Sequence, residues 1–132
     1  MKYSVFIIAC LISISSFAQA IEDTKEIKGN LVHNVFFWLK NPDNQTERKA
    51  FEKGVKDLLS QCKFITSSHI GSTANTAKRD VVDASFTYCV VITFDSKEAH
   101  DNYQVDPLHK KFIKENEMLW SKVLVYDSQK LK

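Results

Sequence analysis

With 132 residues the chain is long enough for one domain, and 44% apolar with 26% charged residues is the balance of an ordinary soluble globular protein. A net charge of +2 leaves no electrostatic footprint for nucleic acid or an anionic membrane. Three glycines leave little room for a phosphate loop or a dinucleotide fingerprint, and neither pattern occurs.

The first 20 residues read as an export leader rather than as part of the fold. Lys2 supplies a positive start, residues 5–14 an apolar stretch too short to span a bilayer, and Ala18-Gln19-Ala20 a small-x-small cleavage site. Cleavage after Ala20 is therefore expected, with no membrane attachment afterwards. Cys10 ends a loose lipoprotein-like box, but too few residues precede it for that signal. The mature chain keeps Cys62 and Cys89, read as small buried hydrophobes rather than a disulfide, because one ends a helix and the other lies inside a strand. Their spacing marks no zinc site.

Residues 21–30 are polar and read as a loose arm. Residues 31–40 form the first strand. Leu31, His33, Val35, Phe37 and Leu39 share one face, and Val32, Asn34, Phe36 and Trp38 the other, so both faces need cover. Asn41-Pro42-Asp43-Asn44 is a turn, and Thr46 is the expected N-cap of a helix to residue 63. Phe51, Val55, Leu58, Leu59 and Cys62 make its buried stripe. Gly54 inside that helix suits a close approach to the sheet or room for a ligand. Asn44-Gln45-Thr46 also fits a glycosylation sequon.

Residues 64–72 read as an edge strand and 73–84 as a long surface loop. In the strand over 85–95, Phe86, Tyr88, Val90, Ile92 and Phe94 share a face. Ser96 caps the next helix, which ends near Tyr103 because Pro107 cannot continue it. Pro107 can begin another, with Asp106 as N-cap. Leu108, Phe112, Leu119 and Trp120 are its inner face. Residues 121–127 form the last strand and 128–132 a polar tail.

The order β-α-β-β-α-α-β is a ferredoxin-like α+β arrangement, an antiparallel sheet with its helices on one face. The other face keeps Val32, Phe36, Trp38, Cys89 and Val91, an apolar patch that implies a two-fold homodimer, sheet to sheet.

Chemistry concentrates around the break at Pro107. There Tyr103 and His109 can point into one space, which a straight helix forbids at a spacing of six. His109 has the pKa of a general base, Asp127 could hold its ring, and Tyr103 could hydrogen-bond a carbonyl oxygen as charge develops. The same residues also suit a structural network that fixes the break. His33 and Tyr88 share the helix-covered side, so four polar-tipped groups would converge among Phe37, Phe51, Phe86, Phe94 and Phe112. They form either a lined pocket or satisfied core residues. His69 and His100 fall at an edge and on a helix surface, in no metal constellation.

Several segments together resemble the stress-responsive A/B barrel (Dabb) family over residues 31–127. They are Leu31-Val32-His33-Asn34-Val35-Phe36, Val90-Val91-Ile92-Thr93-Phe94-Asp95-Ser96, Tyr103…Pro107-Leu108-His109…Phe112 and Val123-Leu124-Val125-Tyr126-Asp127. The resemblance implies a dimeric α+β barrel. An enzymatic member type, olivetolic acid cyclase, closes a linear polyketide without metal or cofactor. Its likeness implies catalytic roles for Tyr103 and His109, a pocket role for His33, and an end-of-strand aspartate at Asp127. Tyr88 departs from it, standing where that enzyme has a further histidine. Three functions follow as expectations: a module binding a small apolar or aromatic molecule, a cofactor-free lyase or cyclase, and a relative of the dimeric-barrel monooxygenases.

Overall fold

The structure, a computed structural model, describes residues 25–132; the leader, Cys10 and the start of the expected arm lie outside the described residues. In chain order the elements are β1 (Leu31–Leu39), α1 (Gln45–Gln61), β2 (Ser67–Gly71), β3 (Tyr88–Phe94), α2 (Lys97–Val105), α3 (Pro107–Asn116), a short 3-10 turn (Glu117–Leu119) and β4 (Trp120–Gln129). All pairings are antiparallel and the sheet order is β2-β3-β1-β4. This is the expected ferredoxin-like α+β fold. No helix among the described residues is long and apolar enough to cross a membrane.

β1 is central, which explains its two apolar faces. His33, Val35, Phe37 and Leu39 are buried on the helix side, while Val32, Asn34, Phe36 and Trp38 are half-buried on the other. Strand β4 runs two residues beyond the expected end, because Ser128 and Gln129 still pair with Val32 and Leu31. The expected strand over 85–95 is shorter. Its regular pairing with β1 stops at Phe37 and Tyr88, where the Thr87 hydroxyl accepts from Leu39 N. Beyond that point alternation no longer governs, and Phe86 turns to the open face, 5.1 Å from Phe36 between ring centroids. Residues 73–84 form no helix or strand and are almost wholly exposed.

Helix α1 starts earlier than expected. Asn44, not Thr46, is its cap: the Asn44 side chain accepts from Thr46 N at 3.0 Å and Glu47 N at 3.2 Å. The sequon asparagine is thus occupied as a cap, which suits Asn at least as well as Thr. Gly54 serves neither of its expected roles. A Cβ there would lie 2.7 Å from the Asn116 side-chain nitrogen, so the glycine lets α1 pack closely against α3. Asn116 is itself buried and donates to Phe112 O at 2.9 Å.

The solid part of the core lies under α1. Phe51 is fully buried, stacked on Tyr88 at 5.0 Å and edge-on to Phe37 at 4.9 Å. Cys62 and Cys89 are both free thiols. The uncovered sheet face carries an aromatic row: Phe36 with Phe86, Tyr126 at 6.2 Å, and Trp38 beneath the Lys122 ammonium at 4.1 Å.

Candidate functional site

The site is built by the break between α2 and α3. Asp106 closes one helix and opens the next: its N–H donates to Tyr103 O, and its carboxylate accepts from Leu108 N at 2.7 Å. Pro107 then occupies the first position of α3, as expected. The turn folds the His109 ring onto Tyr103, with centroids 4.2 Å apart and planes at 28°. The two rings stack rather than share a hydrogen bond. His109 Nδ1 lies 3.4 Å from Gln104 O. A carbonyl only accepts, so that nitrogen carries the proton and Nε2 keeps the lone pair.

Asp127 does not hold His109. It accepts from His33 Nδ1 at 2.6 Å, because the register sets His33 directly opposite Asp127 across β1 and β4. Directly opposed residues share a sheet face and lie close enough to bond. His109 lies on the helix layer above and finds its partner in its own segment.

Between the sheet and the α2–α3 junction lies a cavity of about 310 Å³, just within the range of ligand sites. Val35, Phe37, Val90, Ile92 and Phe112 form its apolar body. His33, Tyr103, Gln104, His109 and Asp127 supply its polar groups. It borders β4, where Val123 and Val125 are 38% and 42% exposed although their alternation puts them on the helix side. The helices do not cover that strand.

Burial shapes the protonation of the site. It pushes the Tyr103 phenol well above its ordinary pKa, with a small addition from Cys62, so the hydroxyl stays protonated. Burial lowers His109 against the weaker pull of the Gln104 carbonyl. It also lowers His33, although the Asp127 carboxylate works in the opposite direction. Both imidazoles are therefore biased to the neutral form. The Tyr103 hydroxyl bonds to no described side chain, yet among the described residues no buried side-chain polar atom is left unsatisfied. It reaches the cavity.

Of the expected site residues, the structure gathers His33, Phe37, Tyr103, His109, Phe112 and Asp127 around the void. It sets three others apart. Tyr88 lies under α1 and donates to Glu52 at 2.5 Å, with its pKa pushed up to about 12 by burial and that carboxylate. Phe51 is packed solid, and Phe86 faces the opposite side of the sheet. His100 was expected on a helix surface, yet its side chain is only 15% exposed. Its ring lies 5.3 Å from those of His33 and Phe94. The signal was present in the spacing, since His100 stands three residues before Tyr103 on the same helical face. One donor atom each from His33, His100 and Asp127 lies within 4.8 Å of the others, which corrects the expectation of no metal-like cluster.

The match to known folds follows that geometry. A dabb family protein with a ferredoxin-like fold from Mesorhizobium loti is 24% identical, with a TM-score of 0.64 over 80% of this chain and 100% of that one. A dimeric ferredoxin-like protein of unknown function from Thermobifida fusca is 11% identical, with a TM-score of 0.62 over 80% and 95%. A hydroxynitrile lyase from Passiflora edulis is 19% identical, with a TM-score of 0.63 over 79% and 95%. Comparison with curated proteins finds no match. The sequence profile of the stress responsive A/B barrel domain matches residues 31–130, from the first residue of β1 to just past the last of β4, and the chain belongs to that family.

Proposed function

We propose that the protein is an exported homodimer that binds a small, largely apolar molecule bearing one carbonyl or hydroxyl oxygen. The observation that carries this reading is the cavity, with its apolar body and polar groups. A protonated Tyr103 hydroxyl can donate to a ligand oxygen, and the His109 Nε2 lone pair can accept from a ligand hydroxyl. The apolar body supplies contact area and the few polar groups fix orientation. Dimerisation through the uncovered sheet face is supported by its aromatic row and by the dimeric description of the Thermobifida fusca neighbour. Export rests on the leader pattern of residues 1–20, and a mature N-terminus at Ile21 would be its signature.

The test is a panel of aromatic ketones and phenols, read by thermal shift and calorimetry on the chain from Ile21. The Val125→Trp variant, which fills the void from β4, should keep the fold and lose the response. A panel that shifts neither protein, or both alike, removes the cavity as the binding site.

A second reading is an acid/base lyase or cyclase. It is favoured by one observation: a phenol and a neutral imidazole stacked at the wall of the same void. His109 would take a proton next to a carbonyl while Tyr103 hydrogen-bonds the developing oxyanion. The Passiflora edulis lyase adds support through its fold alone. Turnover of cyanohydrins or linear polyketides that survives His109→Ala unchanged would sink it.

A further inference from the structure

We propose that His33, His100 and Asp127 form a binding site for a divalent cation of the zinc type, set at the cavity wall where His100 of α2 meets the His33–Asp127 pair. Two imidazoles and a carboxylate are the donor set of three-ligand zinc sites that keep an open position. One donor atom from each residue lies within 4.8 Å of the others, and no other such trio forms among the described residues.

The three residues come from three elements. β1 supplies His33, α2 supplies His100, and β4 supplies Asp127. His100 also has a partner outside the trio that orients it. His100 Nδ1 lies 3.3 Å from the Asp101 carboxylate, which can only accept, so the proton sits there. That leaves Nε2 as the donor lone pair, at present accepting from the Gln104 amide at 3.1 Å. A carboxylate behind a ligating histidine is the usual arrangement in metal sites, since it selects the tautomer and raises basicity. His33 Nδ1 donates to Asp127 Oδ1 at 2.6 Å; a cation held by both would displace that proton, and the ring, ligating through Nδ1, would carry its proton on Nε2 instead.

The geometry needs a small closure. Bonds of about 2.0–2.2 Å put tetrahedral ligand atoms roughly 3.5 Å apart. The trio must therefore contract by about an ångström at its widest and open by about as much between His33 and Asp127. The half-exposed Asp127 side chain and the His100 side chain on a surface helix can supply that movement; His33, buried and held by the sheet, serves as the fixed point. Since His33 and Asp127 both line the cavity, the open coordination position would face it. A bound cation would there present a Lewis-acidic centre to a ligand oxygen. His109 is outside the trio, so this inference does not rest on either functional reading above.

The experiment uses the chain from Ile21, purified without a histidine tag and stripped with a chelator. Zinc is titrated in by calorimetry and cobalt by visible absorption. The expected result is one ion per chain, with the absorption of a low-coordinate cobalt site. His100→Ala and Asp127→Asn should each weaken uptake by more than about 100-fold, beyond the range for outer partners. His69→Ala, on the exposed edge strand β2, should leave it unchanged. Circular dichroism establishes that each variant is folded, and the half-exposed Asp127 makes Asp127→Asn the safeguard should His100→Ala unfold. Absence of uptake, uptake that persists in a folded His100→Ala or Asp127→Asn variant, or loss in His69→Ala overturns the proposal.

Discussion

Under α1, Phe51 is fully buried between Phe37, Tyr88 and Phe112; under the α2–α3 junction, Phe112, Tyr103 and His109 border a void of about 310 Å³. The two regions share one sheet face and the same residue types. They differ in what lies above the sheet. α1 is a long helix that Gly54 lets settle against α3; Phe51 in its first half fills the space beneath it, while Val55 and Leu58 further along border the void. The α2–α3 pair is broken at Pro107 and stops short of β4, leaving Val123 and Val125 partly bare. Aromatic content therefore does not mark a pocket; the reach of the helical layer does.

Three substitutions and one change of pH test that contrast. Phe51→Ala should have the largest effect, about 3–5 kcal/mol of lost stability in denaturant unfolding, because a rigid surrounding cannot collapse on the hole. A loss below 1 kcal/mol would mean the α1 side is as loose as the cavity side. Next comes Gly54→Ala. Alanine favours the helix by about 1 kcal/mol, but its Cβ would meet the buried Asn116 amide at 2.7 Å. Displacing Asn116 should leave a net cost of about 1–3 kcal/mol, and a stabilised variant would show that the helices can part freely.

Acid should act on the hollow region. His33 and His109 both titrate below 6.5 in the folded chain, mainly through burial, while the unfolded chain keeps the ordinary value. Unfolding then takes up protons, so this contribution is complete above pH 6.5 and is lost as pH falls through the folded pKa values. Thermal melts from pH 7.5 to 5 should show a falling midpoint, less steep in His109→Gln. The smallest effect is expected for Val125→Ala, below about 1 kcal/mol, since that side chain borders empty space on an edge strand. A loss near that of Phe51→Ala would mean the void is closed in solution, by a ligand or by β4 itself.

Much of this was legible in the residues. The alternation of β1, the stripe of α1, the cap at Ser96 and the Asp106-Pro107 break are local signals, each tied to one backbone geometry. Tyr103, His109 and His33 could be placed at one site because alternation and the break both point them to the helix side. Asp127 was placed at the site but given the wrong partner. Its position in β4 was readable; its register against His33 was not, since pairing is set by the whole sheet. Phe86 was misassigned because alternation was carried past the point where pairing with β1 ends. His100 was missed because one polar residue on a short amphipathic helix reads the same whether its face meets solvent or a second histidine.

The order of elements, the ferredoxin-like class, the helix break and the sheet face that the helices cover are all readable from the residues. Those follow from hydrophobic period, caps and proline chemistry, all of which act over a few residues. It takes the folded chain to show that Tyr88 and Phe51 belong to solid core, that Asp127 serves His33, and that His100 joins them at the cavity. These depend on register between distant strands and on how far a broken helical layer extends across the sheet, and no short stretch of chain encodes either.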